Sequence, residues 1–452
     1  MNNEFENNEK VETEEIEEVQ DILNTNTDDL VDEYKRPEVK KEKKNRGGFG
    51  RGLFFGIVIT LLVVTLAGVI ASSYIRRQGL VLTTYKLDEN LTGHLLSQQM
   101  EEKVSEILSA LSAYYYEDID SDKVAEGMFK GIVDSLGDKY TVYYTEKEYQ
   151  DFMMDTQGVY YGIGALLSQD KTTLVITIDT VYKGSPAEEA GLQSGDIIVS
   201  ADGIAAEGQE LSSFVENIRG AENTKVTLVI NRNGEEMTFE VTRRKVDVPT
   251  IESAMLPDNI GYIRITQFDE VTAPQFKEAL NGLKKDGMEA LIVDVRSNPG
   301  GLLSSVTEIL DELLPEGLLV YTENKSGQRV EYNSYKGELG KPMCVLVNSN
   351  SASASEIFAG AIKDYEYGTL IGTNTFGKGI VQGIVPFRDG SAIKVTTSRY
   401  YTPKGNYIHD VGIAPDIELE YEFLGGENDK YDYSLDNQIQ KAVEVLKEKM
   451  GK

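Results

Sequence analysis

The sequence NSNSASASEIFAGAIKDYEYGTLIGTNTFGKGIVQ occupies Asn348–Gln382 and directly follows the apolar run MCVLV at Met343–Val347. An apolar run that leads into small residues and then into EIFAGAIKD is typical of a buried strand, a tight turn and a helix. Hydroxyl groups in such a turn lie beside the backbone N–H groups of a helix N-terminus, which stabilise developing negative charge. The stretch therefore predicts a strand–turn–helix unit that is suited to nucleophilic chemistry.

A lysine near the end of this stretch is a candidate base for one of these serines. Lys378 lies between two glycines in TFGKG, and Phe376 and Ile380 are expected to cover it with apolar surface. A serine hydroxyl is a weak nucleophile until a base removes its proton. Lowering a lysine pKa from about 10.4 to about 7 costs about 4.6 kcal/mol, which burial can supply. A structural serine-rich turn and a solvated GKG hairpin are the alternative interpretations.

The combination of SASASE and TFGKGIVQ resembles the active-site signature of the C-terminal processing peptidases, the carboxyl-terminal or tail-specific proteases of serine peptidase family S41. The resemblance extends from about Asp88 to Leu446. It implies that Ser353 is the nucleophile, that Lys378 is the general base and that Gln382 orients the lysine. Catalysis is then expected to need neither a metal ion nor a cofactor.

Two further parts of the site follow from this resemblance. The segment RSNPGG at Arg296–Gly301 resembles the RxNPGG loop of the family, in which a glycine N–H binds the oxyanion. Either Gly300 or Gly301 would donate here, together with the N–H of Ala354, although NPGG taken alone is simply a turn. Glu356, three residues after the nucleophile, is expected to cap the helix, with an active-site hydrogen bond as the alternative.

The region Gly158–Arg243 resembles a PDZ domain, most clearly in the segment GSPAEEAGLQSGDIIVSADG. PDZ domains add a peptide as an extra strand and bind its terminal carboxylate with backbone N–H groups. Arg219 is the candidate for coupling peptide binding to the catalytic site, with an ordinary surface charge as the alternative. The sequence GIG at Gly162–Gly164, taken alone, is also compatible with an ordinary turn. The residues expected to form the carboxylate-binding loop are Tyr161, Gly162, Ile163 and Gly164.

Strand-like and helix-like segments alternate from Thr250 onward. IGYIRI and ALIVDVR are typical of strands, whereas TAPQFKEALNGLKKDG and LLSSVTEILDELL are typical of helices. Such alternation predicts an α/β core with mostly parallel strands, and the resemblance implies a crotonase/ClpP-like arrangement of mixed sheet and helices. The predicted fold class is this α/β core with an inserted PDZ domain, an N-terminal transmembrane helix and a closing helix at Ser434–Met450.

The N-terminal segments differ sharply in charge. Met1–Tyr34 is acidic and poor in apolar residues, which predicts disorder. Lys35–Arg51 is basic and suits anionic lipid headgroups, and Leu53–Ile75 carries no charge and is long enough to cross a bilayer. A single-pass anchor in the cell membrane is therefore expected, with a cytoplasmic N-terminus and an extracytoplasmic catalytic part. A cleaved signal peptide is the alternative, but its apolar region would be shorter and would begin earlier.

Composition restricts the partners. The formal net charge of −30 argues against a nucleic-acid partner. The single cysteine, Cys344, lies in an apolar run and is expected to be a buried hydrophobe, and no Cys and His spacing suggests a zinc site. The expected partners are protein or peptide substrates with accessible C-termini and the lipid bilayer, and a homodimer is left open.

These patterns predict a chain of six regions and one function. The regions are 1–52 as the acidic and then basic cytoplasmic tail, 53–75 as the transmembrane helix, 76–157 as the stalk and N-terminal helices, 158–246 as the PDZ domain, 247–425 as the catalytic core and 426–452 as the C-terminal helix. The predicted function is a membrane-anchored serine endopeptidase that acts through an acyl-enzyme. A catalytically silent PDZ scaffold and an acyl-CoA enzyme of the crotonase type are the alternatives, and His409 is the alternative base.

Overall fold

The computed structural model describes residues 93–335, 337–426 and 429–452. The predicted acidic tail, the basic run and the transmembrane helix at Leu53–Ile75 lie outside these residues. Within the described ranges, no helix has the length and apolar character that crossing a membrane requires.

Helical elements and one short strand precede the PDZ-like module. They are α1 (Gln98–Tyr114), α2 (Ser121–Asp134), β1 (Val142–Tyr144) and α3 (Glu146–Gln157). A polar side chain begins each helix: Ser97 caps α1, Asp120 caps α2 and Thr145 caps α3. Neither α1 nor α2 buries any residue fully, and large apolar side chains such as Ile107 and Ile132 are exposed. The packing of these two helices therefore leaves apolar surface in contact with solvent.

The PDZ-like module is an antiparallel sheet with two short helices. Its elements are β2 (Val159–Gly162), β3 (Ala165–Gln169), β4 (Ile176–Val181), α4 (Pro186–Ala190), β5 (Ile197–Ala201), β6 (Ile204–Ala205), α5 (Leu211–Ile218), β7 (Lys225–Arg232), β8 (Glu235–Thr242) and β9 (Arg244–Asp247). The strand order is β3-β4-β5-β7-β8, β6 pairs with β5, and β2 pairs with β9. Phe214 of α5 shares a buried cluster with Ile178, Leu228 and Ile230, so the module has a hydrophobic core of its own.

The core that follows is built on a six-stranded sheet. Its strands lie in the order β10 (Ile251–Leu256), β11 (Ile260–Ile265), β12 (Ala290–Asp294), β15 (Met343–Val347), β16 (Gly368–Gly372) and β19 (Ile417–Glu418). All pairs from β11 to β19 are parallel, whereas β10 pairs antiparallel with β11. Every residue of β12 and β15 is buried, as expected for strands covered on both faces. The predicted mixed α/β fold is confirmed.

Helices cover both faces of this sheet. They are α6 (Thr272–Lys285), α7 (Leu303–Asp311), α8 (Ala354–Asp364) and α9 (Asn437–Met450). Leu291 and Val293 of β12 share a buried cluster with side chains of α6, α7 and α8, whereas Ile292 belongs to a second cluster with α9. Successive residues of a strand point to opposite faces, so α9 lies on the other side of the sheet. Cys344 is buried in the α9 cluster, as predicted.

A second, antiparallel sheet carries β13 (Gly317–Asn324), β14 (Arg329–Ser334), β17 (Ile380–Pro386) and β18 (Ala392–Tyr401). Its order is β1-β18-β13-β14, and β17 also pairs with β18. β1 joins its edge by pairing Val142 with Lys394. Because β17 begins two residues after Lys378, the N-terminal region and the lysine-bearing segment meet on the same strand, β18.

Candidate active site

Parallel pairing of β12 with β15 brings the loops that follow these strands side by side. Ser351 Oγ donates to Val295 O at 2.8 Å, and Ser355 Oγ donates to Asn298 O at 2.9 Å. Both of these serines are buried, whereas Ser353 between them is partly exposed. The outer serines of SASAS therefore tie the two loops together, and Ser353 is the one left open to solvent.

The backbone of Ser353 is held in an uncommon conformation directly before α8. Its φ is 56° and its ψ is −112°, which a residue with a side chain rarely adopts. Such a conformation costs on the order of 1–3 kcal/mol and persists only where the surroundings hold it. Ser353 O accepts a hydrogen bond from the Tyr400 hydroxyl at 3.2 Å, and Ser353 N donates to Glu356 Oε2 at 2.9 Å.

Glu356 is a fully buried carboxylate that bonds two separate segments. Its Oε1 accepts from Thr375 Oγ1 at 2.6 Å and from Gly377 N at 2.7 Å. Its Oε2 accepts from Ser353 N at 2.9 Å and from Lys378 N at 2.8 Å. The side chain therefore caps α8, as expected from the sequence, and also holds the lysine-bearing loop. The backbone N–H groups of Ser353 and Lys378 thus bind the same oxygen atom, Glu356 Oε2.

The amino group of Lys378 lies in a charged but partly buried environment. Burial lowers its pKa from the ordinary lysine value, and the positive charges of Lys394 and Lys139 lower it further. The negative charges of Asp138 and Glu356 act in the opposite direction. The pKa of Lys378 is lowered overall, which is the direction that a lysine acting as a base requires.

The cover over Lys378 differs from the expected one. Phe376 is 50% exposed, and the aromatic ring that faces the lysine belongs to Tyr140, whose centroid lies 4.7 Å from Lys378 Nζ. The loop passes so close to the segment around His409 that a Cβ on Gly379 would lie 2.7 Å from the His409 backbone nitrogen. This tight passage explains the need for glycine there.

Gln382 lies on β17, close to the lysine segment, but the side chain to which it is hydrogen-bonded is a threonine. Gln382 Nε2 donates to Thr396 Oγ1 at 3.3 Å, and Thr396 Oγ1 donates to Asp138 Oδ2 at 2.6 Å. Among the described residues, no hydrogen bond joins Ser353 Oγ to Lys378 Nζ. Sequence reasoning missed Asp138, because its place in the site depends on the pairing of β1 with β18 rather than on any local pattern.

The RSNPGG loop passes directly beside the serine. A Cβ on Gly300 would lie 2.7 Å from Ser353 Cβ and 2.9 Å from Ala354 N, so only glycine fits there. Gly301 instead packs against Phe268, and a Cβ there would collide with the Phe268 carbonyl. Within the described part of the chain, the Ala354 N–H has no acceptor and is free to bind an oxyanion.

The two glycines of the loop differ in what their N–H groups do. Gly300 N donates to Asn298 Oδ1 at 2.8 Å, whereas no acceptor for Gly301 N is found in the described ranges. Proximity to Ser353 thus favours Gly300 as an oxyanion donor, and a free N–H favours Gly301.

The residues expected to bind a peptide carboxylate lie where β2 turns into β3. Tyr161 and Gly162 end β2 and pair with β9, and Ile163 is buried. Gly164 has a φ of 80° and packs so closely on Ser185 that a Cβ would collide with its side chain. The turn therefore requires glycine at this position.

Arg219 lies at the end of α5, and its guanidinium group lies 5.4 Å from the centroid of the Tyr160 ring. Burial raises the pKa of Asp155 in α3, and the Arg219 charge opposes that rise. Burial raises the pKa of Asp269 to about 6, and the negative charge of Asp155 also acts on it. Phe268, which precedes Asp269, donates its backbone N–H to Gly300 O at 2.9 Å. The charge of Arg219 therefore acts on Asp155 of α3.

Family models match three parts of the chain. The model described as peptidase family S41 matches residues 259–419, a PDZ domain model matches 177–232, and a model of the activating protease CtpB N-terminal domain matches 66–148. The S41 match includes the serine, the lysine and the RSNPGG loop, and the PDZ match lies within the module described above.

Individual proteins also resemble the chain over most of its length. A probable CtpA-like serine protease of Staphylococcus aureus (strain COL) is 32% identical over 405 residues, which cover 88% of this chain and 77% of that protein. Another, of Staphylococcus saprophyticus, is 33% identical over 401 residues, which cover 87% and 78%. Among solved structures, the photosystem II D1 C-terminal processing protease is 29% identical, with 73% of this chain and 89% of that chain covered and a TM-score of 0.42.

The replacement Glu356→Gln is expected to lower the free energy of unfolding by about 2–4 kcal/mol. A glutamine side chain would present an NH₂ group to two donors that now bind one carboxylate oxygen. Urea unfolding of the two proteins measures the difference. The control Glu366→Gln removes an exposed carboxylate whose ion pair is with Lys404 at 3.3 Å, so its stability should stay close to that of the wild type. Equal stability of Glu356→Gln and wild type would contradict the role given to this carboxylate.

Proposed function

The chain belongs to peptidase family S41, and from this premise we propose that it is a membrane-anchored, extracytoplasmic serine endopeptidase that cuts substrates bound by their C-termini. It is a serine peptidase of the C-terminal processing type with a PDZ domain. The proposed nucleophile is Ser353 and the proposed base is Lys378. The observation that carries this mechanism is the Glu356 oxygen that binds the backbone N–H groups of both residues.

The proposed reaction runs through an acyl-enzyme. Neutral Lys378 removes the proton from Ser353 Oγ as the oxygen attacks the scissile carbonyl, and the resulting ammonium returns the proton to the leaving amine. Water then hydrolyses the ester by the reverse sequence. The N–H of Ala354 and that of Gly300 or Gly301 would bind the oxyanion. Contacts between nucleophile and base commonly tighten only when substrate is bound, and Gln382 would orient the lysine at that stage.

The PDZ domain supports substrate capture by the C-terminus. The turn formed by Gly162, Ile163 and Gly164 leads into β3 beside the start of α4, where a peptide carboxylate would meet backbone N–H groups. Arg219 would report this binding to the loop beside the serine through Asp155 and the region next to Gly300. Peptide capture and oxyanion binding would then be coupled.

Membrane anchoring is supported by the N-terminal sequence. The basic segment Lys35–Arg51 precedes the uncharged segment Leu53–Ile75, which has the length of a membrane span. This arrangement would keep the N-terminus in the cytoplasm and place the catalytic part outside it.

Two copies of the chain would associate through the exposed apolar surface of α1 and α2. Large apolar side chains on these helices are exposed, and a second copy would remove them from water. They include Ile107, Leu108, Leu111, Met128, Phe129 and Ile132.

Ser353→Ala and Lys378→Ala should each lower kcat by about 10⁴-fold or more, and the double variant should be no slower than either single variant, because the two residues act as a unit. Hydrolysis of an unstructured protein measures the rates, and thermal unfolding checks the fold. Ser349→Ala, which alters an exposed serine of the same turn, should retain wild-type activity. A silent PDZ scaffold predicts no hydrolysis by the wild type, and near wild-type hydrolysis by Ser353→Ala would refute the assignment.

The pH dependence of kcat/KM should identify the base. Only the neutral lysine can accept the serine proton, so activity should fall as pH drops through the pKa of Lys378, which burial has lowered from the ordinary lysine value. Lys378→Arg should be as inactive as Lys378→Ala, because guanidinium does not release its proton in this range. His409→Ala should keep this fall in activity at low pH, which forms the acidic limb of the pH profile. Loss of that limb in His409→Ala, together with activity in Lys378→Arg, would make histidine the base.

The topology can be read from protease protection of intact cells. A tag fused before Met1 should be protected, whereas a cleavage site introduced just after Gln78 should be cut from outside, because positive charge is retained on the cytoplasmic side. The same two tagged proteins in lysed cells provide the control, since both sites should then be cut. An accessible N-terminal tag on intact cells would reverse the proposed orientation.

A further inference from the structure

We propose that Asp138 is a positioning residue for the lysine base, because its carboxylate fixes the Thr396–Gln382 pair and belongs to the segment that places the Tyr140 ring against the Lys378 amino group. This inference rests on the proposed Ser353–Lys378 mechanism and adds to it a residue supplied by the N-terminal region. The argument combines a chain of hydrogen bonds with the set of charges around the lysine.

The Asp138 carboxylate is bonded on both oxygens. Its Oδ2 accepts from Thr396 Oγ1 and from Thr141 Oγ1, each at 2.6 Å, and its Oδ1 accepts from Tyr140 N at 3.0 Å. Short bonds of a hydroxyl to a carboxylate are among the stronger hydrogen bonds in proteins. Asp138 is therefore firmly placed at the edge of the second sheet.

These bonds also determine which way the Gln382 amide points. A threonine hydroxyl has one proton, and Thr396 gives it to Asp138, so Thr396 Oγ1 can only accept from a further neighbour. Gln382 must then turn its Nε2 toward Thr396, as observed at 3.3 Å. The carbonyl oxygen of the amide is left as the end that can accept a hydrogen bond from the Lys378 ammonium.

The backbone holds Asp138 beside the lysine. Thr396 N donates to Thr141 Oγ1 at 3.1 Å, and Val142 pairs with Lys394 where β1 joins β18. Tyr140, in the same short segment, places its ring 4.7 Å from Lys378 Nζ. The segment that carries Asp138 is thus part of the wall of the site and cannot shift without opening it.

Within the described ranges, charged groups from three parts of the fold act on the lysine. Lys394 of β18 and Lys139 before β1 disfavour its ammonium form, whereas Asp138 and Glu356 favour it. Asp138 also interacts with His409, which packs on the glycine after the lysine. Glu356 is occupied by four donors, so Asp138 is the carboxylate whose removal changes the charge while the Ser353 turn stays intact.

The charge is tested by Asp138→Asn in the full-length protein. Loss of a favourable negative charge makes Lys378 harder to protonate, so the acidic limb of kcat/KM should move to lower pH by about half to one unit. Asp134→Asn removes an exposed carboxylate four residues earlier and should leave the limb in place. Lys394→Gln should move the limb to higher pH, because it removes a repulsive charge. An unmoved limb in Asp138→Asn, or one displaced to higher pH, overturns the proposal, whereas a merely structural role would not move the limb in this direction.

The positioning is tested by Thr396→Val, which breaks the link between Asp138 and Gln382 without changing any charge. The expected result is a fall in kcat of about tenfold with KM nearly unchanged. Thr397→Val, on the same strand, removes a hydroxyl bonded only weakly, at 3.4 Å to Val381 O, and should behave as the wild type. A kcat of Thr396→Val equal to that of Thr397→Val overturns the positioning role. This variant also carries the test if Asp138→Asn does not fold.

The outcome for the lysine itself separates this inference from the proposed function. If Lys378→Ala is inactive while both Asp138→Asn and Thr396→Val match the wild type in rate and pH profile, only the role of Asp138 is lost. If Lys378→Ala keeps full activity, the proposed base is wrong, and the role of Asp138 fails with it.

Discussion

The site depends on one buried carboxylate, that of Glu356. Burying an ionised carboxylate is costly unless hydrogen-bond donors replace the lost water, and here four donors from two chain segments do so. Because each donor would be left unsatisfied if its segment moved, the carboxylate fixes the start of α8 and the lysine loop in one arrangement. One of these bonds holds the unusual Ser353 backbone, whereas the glycines on both sides of Lys378 are needed because the loop passes close to the backbone of residues 409–412.

The two halves of the site belong to two different sheets. The parallel sheet provides the serine turn and the RSNPGG loop at the carboxyl ends of neighbouring strands, where open α/β sheets place their sites. The antiparallel sheet provides Lys378 and Gln382, and its edge is completed by β1. Helix α3 contacts the region of Asp269, where Glu270 N donates to Thr156 O at 3.2 Å, and the segment before β1 contacts the second half through Asp138, which accepts from Thr396 Oγ1. The region that precedes the PDZ-like module thus contacts segments next to both halves of the candidate site.

Local pattern was sufficient for the elements whose structure is decided locally. The strand–turn–helix around Ser353, the parallel core and the burial of Cys344 follow from apolar runs and small residues that are adjacent in sequence. The partners of the lysine are different, because Asp138 and Tyr140 reach it through antiparallel pairing between strands far apart in the chain. The exposure of Phe376 was also missed, because the local sequence does not determine which side of a loop faces solvent. The membrane span remains a prediction, as it lies outside the described residues.

In the proposed mechanism, Lys378 must satisfy two opposite demands in one catalytic cycle. It has to be neutral before attack, which burial and the charges of Lys394 and Lys139 favour, and it has to hold a proton until the amine leaves. A site that only excluded water would meet the first demand and make the ammonium too costly for the second. Carboxylates close to the lysine reduce that cost. The strand β18 carries both kinds of influence, because Lys394 repels the ammonium while Thr396, two residues on, connects Gln382 to Asp138. A substitution that moves this strand would therefore disturb both demands at once.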